Sequence, residues 1–308
     1  MMAKQLGIPL HRIFVLKMRP YLAPIRYPIQ ALLTLRLLFQ ARPGLVFVQN
    51  PPIFAPLCVW LYCALTGSRF IIDSHTDALH GPLWQWSWPL HAFLSRRAVT
   101  TLVTNSYLQR KVENWGAHSH IITDVPSEFP LGKPYPLAQP FNLAFVSSFS
   151  TDEPLDAIIE VARSLPQVGI YVTGDPARSQ RPLPPDLPEN LHITGFLPED
   201  AYYGLLRSVQ AVMVLTTEDH TMQRGACEAV WLGQPIITSD WPILREAFHL
   251  GAIHVDNSVA GIRAGILKMQ ESYRALAMQL PRLQDERRQQ WAAALVALQQ
   301  AISLDAEA

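Results

Sequence analysis

Cysteine is scarce in this 308-residue chain: Cys58, Cys63 and Cys227 are all it has. They cannot all pair, and none stands at a metal-ligand spacing from a histidine. A disulfide-built secreted scaffold is therefore excluded, and a reducing cytoplasm is the expected compartment. Long apolar runs are lacking too. The uncharged stretch from Leu45 to Gly67 is broken by Asn50-Pro51-Pro52, which leaves Phe54 to Thr66, well short of the ~20 residues that a bilayer span requires. Residues 1–10 lack the apolar run and small-residue cleavage site of a secretory leader. No segment repeats with a period of about 20 to 50 residues, so solenoids and propellers are excluded.

Acid is absent from the first part of the chain. Residues 1–72 carry eight Lys or Arg and no Asp or Glu, and the first acid is Asp73; the remainder carries 17 bases against 25 acids. The formal net charge of zero hides this asymmetry, which points to an anionic partner for the N-terminal part. The bases stand among leucines, tyrosines and prolines, a mixture that suits an anionic membrane surface or phosphorylated lipid better than a nucleic-acid groove. The plainer reading is a solvated basic face.

With 49% apolar and 16% charged residues the chain can bury substantial cores. Apolar bursts alternate with helical patterns. Arg12–Leu16, Leu45–Gln49, Arg69–Asp73, Thr100–Thr104 and His120–Asp124 read as strands; Pro28–Gln40, Phe54–Thr66, Leu83–Arg97 and Ser106–Trp115 read as helices. Five prolines between Pro126 and Pro140 interrupt the pattern and read as an interdomain linker. Alternation then resumes from Asn142 to Val255, and a helical tail follows from Val259, interrupted at Pro281. The expected fold is α/β: two Rossmann-like domains, residues 1–138 and 139–308, built on parallel sheets and facing a cleft.

The richest segment runs from Thr216 to Glu246. A strand ends and a helix is expected to begin near Thr221, whose free N–H groups and positive dipole end could hold a phosphate. Glu228, two turns in, could accept hydrogen bonds from vicinal sugar hydroxyls, or simply pair with Arg224 at i, i+4. Arg224 is the only Lys or Arg between Arg207 and Arg245. Upstream, Ser147-Ser148 follows the first strand of the second domain, and Gly174 follows the next. In the first domain Asp73 and His75 stand at a strand end, where Asp73 could orient the imidazole. Trp84, Trp86 and Trp88 follow, as core, sugar-stacking or interface residues.

Glu228-Ala229, Gly233, Pro235 and Ile236-Ile237 resemble the donor-binding region of GT-B glycosyltransferases, especially glycosyltransferase family four. The Ser147–Glu153 loop, Val48-Gln49-Asn50-Pro51-Pro52 and Ile71–Thr76 are similar to segments of chitobiosyldiphosphodolichol beta-mannosyltransferases. The resemblance implies sugar transfer from a nucleotide-diphosphate sugar, with a lipid-linked or envelope polysaccharide precursor as the acceptor and no metal or other cofactor. It implies Glu228 on the nucleotide ribose, with His220 standing where the family has its first glutamate. Thr221 and Ser148 then lie toward the diphosphate, and Gly174 stands in the family's second-strand glycine turn among the donor-binding residues. The family's usual arginine and lysine are absent, and Arg224 is the candidate cation in their place. His75 and Asp73 are the expected catalytic residues. Family members open with a strand, a glycine-rich turn, a helix and a second strand, and the match here starts after these, so the first domain is expected to be shortened. A GT-B nucleotide-sugar epimerase and a non-catalytic subunit are the alternatives. The expected location is the cytoplasm, peripheral on the membrane face.

Overall fold

The computed structural model describes residues 2–15, 20–179 and 182–307 and divides into two compact units. The first comprises residues 1–125 and 290–308, the second 126–289. The boundary thus falls before the proline-rich stretch, and the last residues of the chain belong with the first unit.

In the first unit α1 (Met2–Gln5) and α2 (Ala23–Ala41) precede β1 (Leu45–Asn50), α3 (Phe54–Thr66), β2 (Arg69–Ser74), α4 (Thr76–Leu79), α5 (Trp88–Ser95), β3 (Thr100–Val103), α6 (Ser106–Asn114) and β4 (Ser119–Ile121). The four strands lie in the order β1-β2-β3-β4, all parallel. Leu38, Val59, Tyr62 and Leu94 of the helices pack on Val48, Phe70 and Ile72. Ile71 and Leu102 face the other way and are covered by Trp291 and Leu298. Residues 12–15, expected to begin a strand, form none; Leu16 lies outside the described residues. The helix expected from Leu83 is instead a tight 3₁₀ segment, Pro82–Ser87, running into α5, as the prolines at both starts dictate.

The second unit holds β5 (Phe141–Phe145), α7 (Leu155–Ser164), β6 (Val168–Thr173), β7 (Leu191–Gly195), α8 (Glu199–Ser208), β8 (Ala211–Val214), α9 (Arg224–Leu232), β9 (Ile236–Ser239), α10 (Pro242–Ala247), β10 (Ala252–Val255) and α11 (Val259–Ala277). A final helix, α12 (Leu280–Glu307), starts in this unit and ends in the first. Leu143, Phe145, Ala211 and Met213 pack toward α7 and α11, while Ala144, Val212 and Val214 pack toward α8, α9 and α10. This period of two, with both faces apolar, is what a parallel sheet covered by helices requires. The order β10-β9-β8-β5-β6-β7 is doubly wound: the chain starts at β5, moves outward to β7, then returns to β8 on the other side. The loops after β5 and β8 therefore diverge, and such a switch point is where open α/β sheets bind ligands.

The stretch from Pro126 to Pro140 is not a free linker. Phe129 stacks on Tyr203 with ring centroids 4.5 Å apart, Arg207 donates to the Phe129 and Pro130 carbonyls, and the Tyr135 N–H donates to Ser208 Oγ at 3.0 Å. Its apolar residues are spaced to follow α8, without a repeating period of their own. Close approach depends on Gly204, where a methyl group would overlap the Lys133 carbonyl oxygen. An alanine in an exposed helix interior gains about 1 kcal/mol over glycine. Here Gly204→Ala is expected to lose roughly 1–3 kcal/mol instead, read as a lower urea midpoint at unchanged slope.

Candidate functional site

The second unit gathers most of the expected donor-binding residues at the carboxyl ends of β5, β6 and β8. Gly174, after β6, adopts φ 98° and lies so close to the Ser147 carbonyl that no side chain fits. A methyl at Gly225, in the first turn of α9, would come within 2.8 Å of Val146 Cγ1, so the start of α9 lies against the end of β5. Thr216 joins the neighbouring strands: its N–H donates to Ser239 Oγ, and its carbonyl accepts from Trp241 Nε1 and Asn257 Nδ2. Asp152 ties the two diverging loops, accepting from Thr216 Oγ1 at 2.6 Å through its carboxylate and from the Thr217 N–H at 2.7 Å through its carbonyl.

α9 begins at Arg224, later than the expected start near Thr221, with no side-chain cap. His220 and Thr221 therefore sit in the β8–α9 loop. His220 takes φ 61°, its N–H donates to Asp219 Oδ1 at 2.6 Å, and Thr221 Oγ1 donates to the Asp219 carbonyl. Glu228 is buried and each of its oxygens has one donor: Oε1 accepts from Arg224 Nε at 2.9 Å and Oε2 from Tyr202 Oη at 2.8 Å, which leaves further acceptor positions on both. The i, i+4 pair is thus present, although the Arg224 side chain remains 74% exposed. Burial opposes the Arg224 charge, but the hydrogen bond and charge of Glu228 outweigh it and raise its pKa. Burial and the same carboxylate raise the Tyr202 hydroxyl, and push Tyr203 up to about 12. Tyr202 was not picked out from the sequence; its place four residues after Pro198, in the first turn of α8, was the available signal.

Ser148 is engaged as well. Its N–H and hydroxyl both donate to the carboxylate of Glu153, five residues on. The hydroxyls and amides that could cradle a phosphate are in this structure turned onto that side chain.

In the first unit His75 follows β2 and opens α4. Its partner is Gln49 on the adjacent strand, whose amide nitrogen donates to His75 Nε2 at 2.6 Å. Asp73 lies 3.8 Å from the same nitrogen, too far to orient the ring by a hydrogen bond. Burial raises the Asp73 pKa, against the pull of His75. Beneath them is a polar cluster that sequence reasoning missed. His91 is fully buried, with Nε2 2.9 Å from Ser74 Oγ and 3.1 Å from Asn50 Nδ2. These residues close the ends of β1 and β2, and the Asn50 carbonyl accepts the His75 N–H. Separations of 17 and 41 residues left no local signal. Of the three tryptophans, Trp86 is exposed, Trp84 packs on the core, and the Trp88 ring lies under Lys111 Nζ at 3.2 Å. Among the described residues no group of three His, Cys, Asp or Glu is placed to hold a metal.

No protein-family model and no curated protein matches the chain. Solved structures do. Anabaena Alr3699/HepE in complex with UDP and glucose aligns over 98% of this chain and 88% of its own, with TM-score 0.72 and 14% identity. Sucrose-phosphate synthase from Thermosynechococcus elongatus aligns over 92% and 79%, with TM-score 0.68 and 16% identity. The S. aureus MnaA–UDP co-structure aligns over 90% and 79%, with TM-score 0.56 and 9% identity. These likenesses show a GT-B type fold of two Rossmann-like units.

The buried imidazole gives a pH test. Burial, reinforced by Lys111, lowers the His91 pKa to about 4, although a hydrogen bond to the Ala78 backbone works the other way. Between the ordinary value of 6.5 and about 4, the unfolded chain binds a proton that the folded one does not. Stability is therefore lost as pH falls through that window, by on the order of 3 kcal/mol from this group. Urea unfolding at pH 7 and pH 4.5 should show a smaller loss in His91→Gln than in the wild type.

Proposed function

We propose that this chain is a glycosyltransferase that moves a hexose from a nucleotide-diphosphate sugar to a lipid-linked or envelope-polysaccharide acceptor. The observation that carries the proposal is the convergence, at one switch point, of the Ser148 and Phe149 amides, the Gly174 turn and the first turns of α9 bearing Arg224 and Glu228. It is supported by the likeness in fold to a protein crystallised with UDP and glucose. In this reading Glu228 takes the ribose hydroxyls, and His220 lies toward the donor sugar. Thr221, Ser148 and the Gly174 turn face the diphosphate. As the glycosidic bond breaks, charge grows on the diphosphate, and the exposed guanidinium of Arg224 stabilises it. His75 and Asp73 act on the acceptor side. His75 Nε2 lies 2.6 Å from the Gln49 side-chain nitrogen, which holds the ring at the end of β2.

Incubation with labelled nucleotide sugars and a lipid extract tests the class: transfer to lipid supports it, while an isomerised free sugar would identify an epimerase, and neither product a non-catalytic subunit. For the active enzyme, Arg224→Ala should lower kcat by about 10²-fold, and Arg224→Lys should retain part of the activity. Wild-type kcat in Arg224→Ala would remove the guanidinium from the mechanism.

The acceptor reading includes peripheral attachment to an anionic membrane through residues 1–42. Support comes from α2, where Ile25, Ile29, Leu32 and Phe39 are exposed at spacings of one helical turn or two. Lys4, Arg12, Arg36 and Arg42 are exposed as well. Leu38 and Arg26 are buried and do not contribute; Lys17 and Arg19 lie outside the described residues. Among the described residues no helix is long and apolar enough to cross a membrane. Each base near an anionic surface contributes about 1 kcal/mol, screened by salt. Flotation with anionic vesicles should be strong at low salt and weak at high salt, and should fall in Ile29→Ser/Leu32→Ser. Equal binding to neutral vesicles would count against the electrostatic part.

A further inference from the structure

Four donors converge on one carboxylate at the end of β5. Glu153 accepts from Ser147 Oγ at 2.5 Å, the Ser148 N–H at 2.8 Å, Ser148 Oγ at 2.9 Å and the Phe149 N–H at 3.0 Å. The two consecutive N–H groups converge in a loop where Phe149 adopts φ 58°. Successive amides turned to one side in this way form an anion-binding nest. A left-handed phenylalanine is unfavourable in isolation, and burial of its ring holds it there. The nest is thus a rigid feature of the loop with an anion already in it.

The surroundings show what emptying it would take. Asp152, the preceding residue, is bound to Thr216 and Thr217, and the Glu153 carbonyl accepts the Leu155 N–H. The backbone on both sides is therefore pinned, and rotation of the Glu153 side chain alone would clear the nest. Among the described residues no Lys, Arg or His is paired with Glu153, so dipoles and not a counter-charge hold it. Arg224, the basic residue at the start of the neighbouring α9, is bonded to Glu228. A phosphate oxygen makes the same demands on these donors as a carboxylate oxygen, and the two cannot share them.

We propose that Glu153 is a resident anion that closes the β5 nest in the free protein and is exchanged for a phosphate oxygen of the donor's diphosphate when the donor binds. The inference deepens the glycosyltransferase reading and rests on it for the identity of the ligand. Donor affinity is then set against an internal competitor, and a ligand lacking the diphosphate does not meet that competition.

Calorimetry with UDP, inorganic pyrophosphate and uridine on the wild type, Glu153→Gln and Glu153→Ala tests it. Removing the competitor should tighten UDP and pyrophosphate by about ten- to a hundredfold, the scale of charged hydrogen bonds, and leave uridine unchanged. Unchanged or weaker pyrophosphate binding in folded variants would overturn the proposal and make Glu153 a loop strut. Tighter pyrophosphate without any UDP binding would keep the nest and reject the nucleotide-sugar reading. If both variants fail to fold, carbodiimide footprinting of the wild type decides. Glu153 should be shielded in the free protein and labelled when pyrophosphate is present, whereas labelling indifferent to pyrophosphate would overturn the exchange.

Discussion

Where a doubly wound sheet reverses direction, the loops leaving two adjacent strands must part, and the polar backbone they expose has to be satisfied by something. In the second unit this constraint falls between β5 and β8, and much of the local structure answers it. Asp152 spans the divergence to Thr216 and Thr217; Ser239, Asn257 and Trp241 fasten the Thr216 backbone from the far side. What remains is a set of groups suited to anions, namely the Ser148 and Phe149 amides and the Arg224 guanidinium. The chain has supplied a carboxylate to each, Glu153 to the amides and Glu228 to the guanidinium. In the free protein this edge is therefore electrostatically quiet, its amides and its guanidinium each facing an internal carboxylate.

How far the sequence reveals this depends on the range of the interaction. The alternation of strands and helices from Leu45 onward is legible because burial on both faces of a sheet leaves a local pattern, and Phe54–Thr66 and the break before Pro281 follow directly from it. The arrangement Glu228-Ala229, Gly233 and Pro235 is legible because a helix, its left-handed cap and the next strand fall within a few residues. The partners of Glu228 divide along the same line: Arg224, one turn away, was visible as a candidate, and Tyr202, on another helix, was not. Glu153 lay in plain view beside Ser148, but only the left-handed turn at Phe149 brings its carboxylate back onto the serines. The packing of the proline-rich stretch on α8 was hidden for the opposite reason, since extended chain packed on a helix has no period to detect.

The first unit carries its charge on the surface and its polarity within. Exposed bases accompany an outward apolar stripe on α2, while His91, Ser74 and Asn50 form a buried polar cluster under the loop that bears His75. Among the described residues the buried Asn50 side-chain oxygen has no hydrogen-bond partner. Such a cluster disfavours protonation of His91 and couples the end of β1 to the placement of the His75 loop.

The last helix sets an order on synthesis. Leu280 and Leu283 complete the second unit's core, but Trp291 and Leu298, farther along α12, cover Ile71 and Leu102 of the first unit's sheet. On the ribosome the second unit has all its residues once position 289 has emerged. The strands made earliest must wait, with one apolar face open, for Gln290–Ala308 to arrive. N-terminal domains ordinarily finish first during translation; here the sheet translated first is the one completed last, and its uncovered side is the surface that a nascent-chain chaperone would meet.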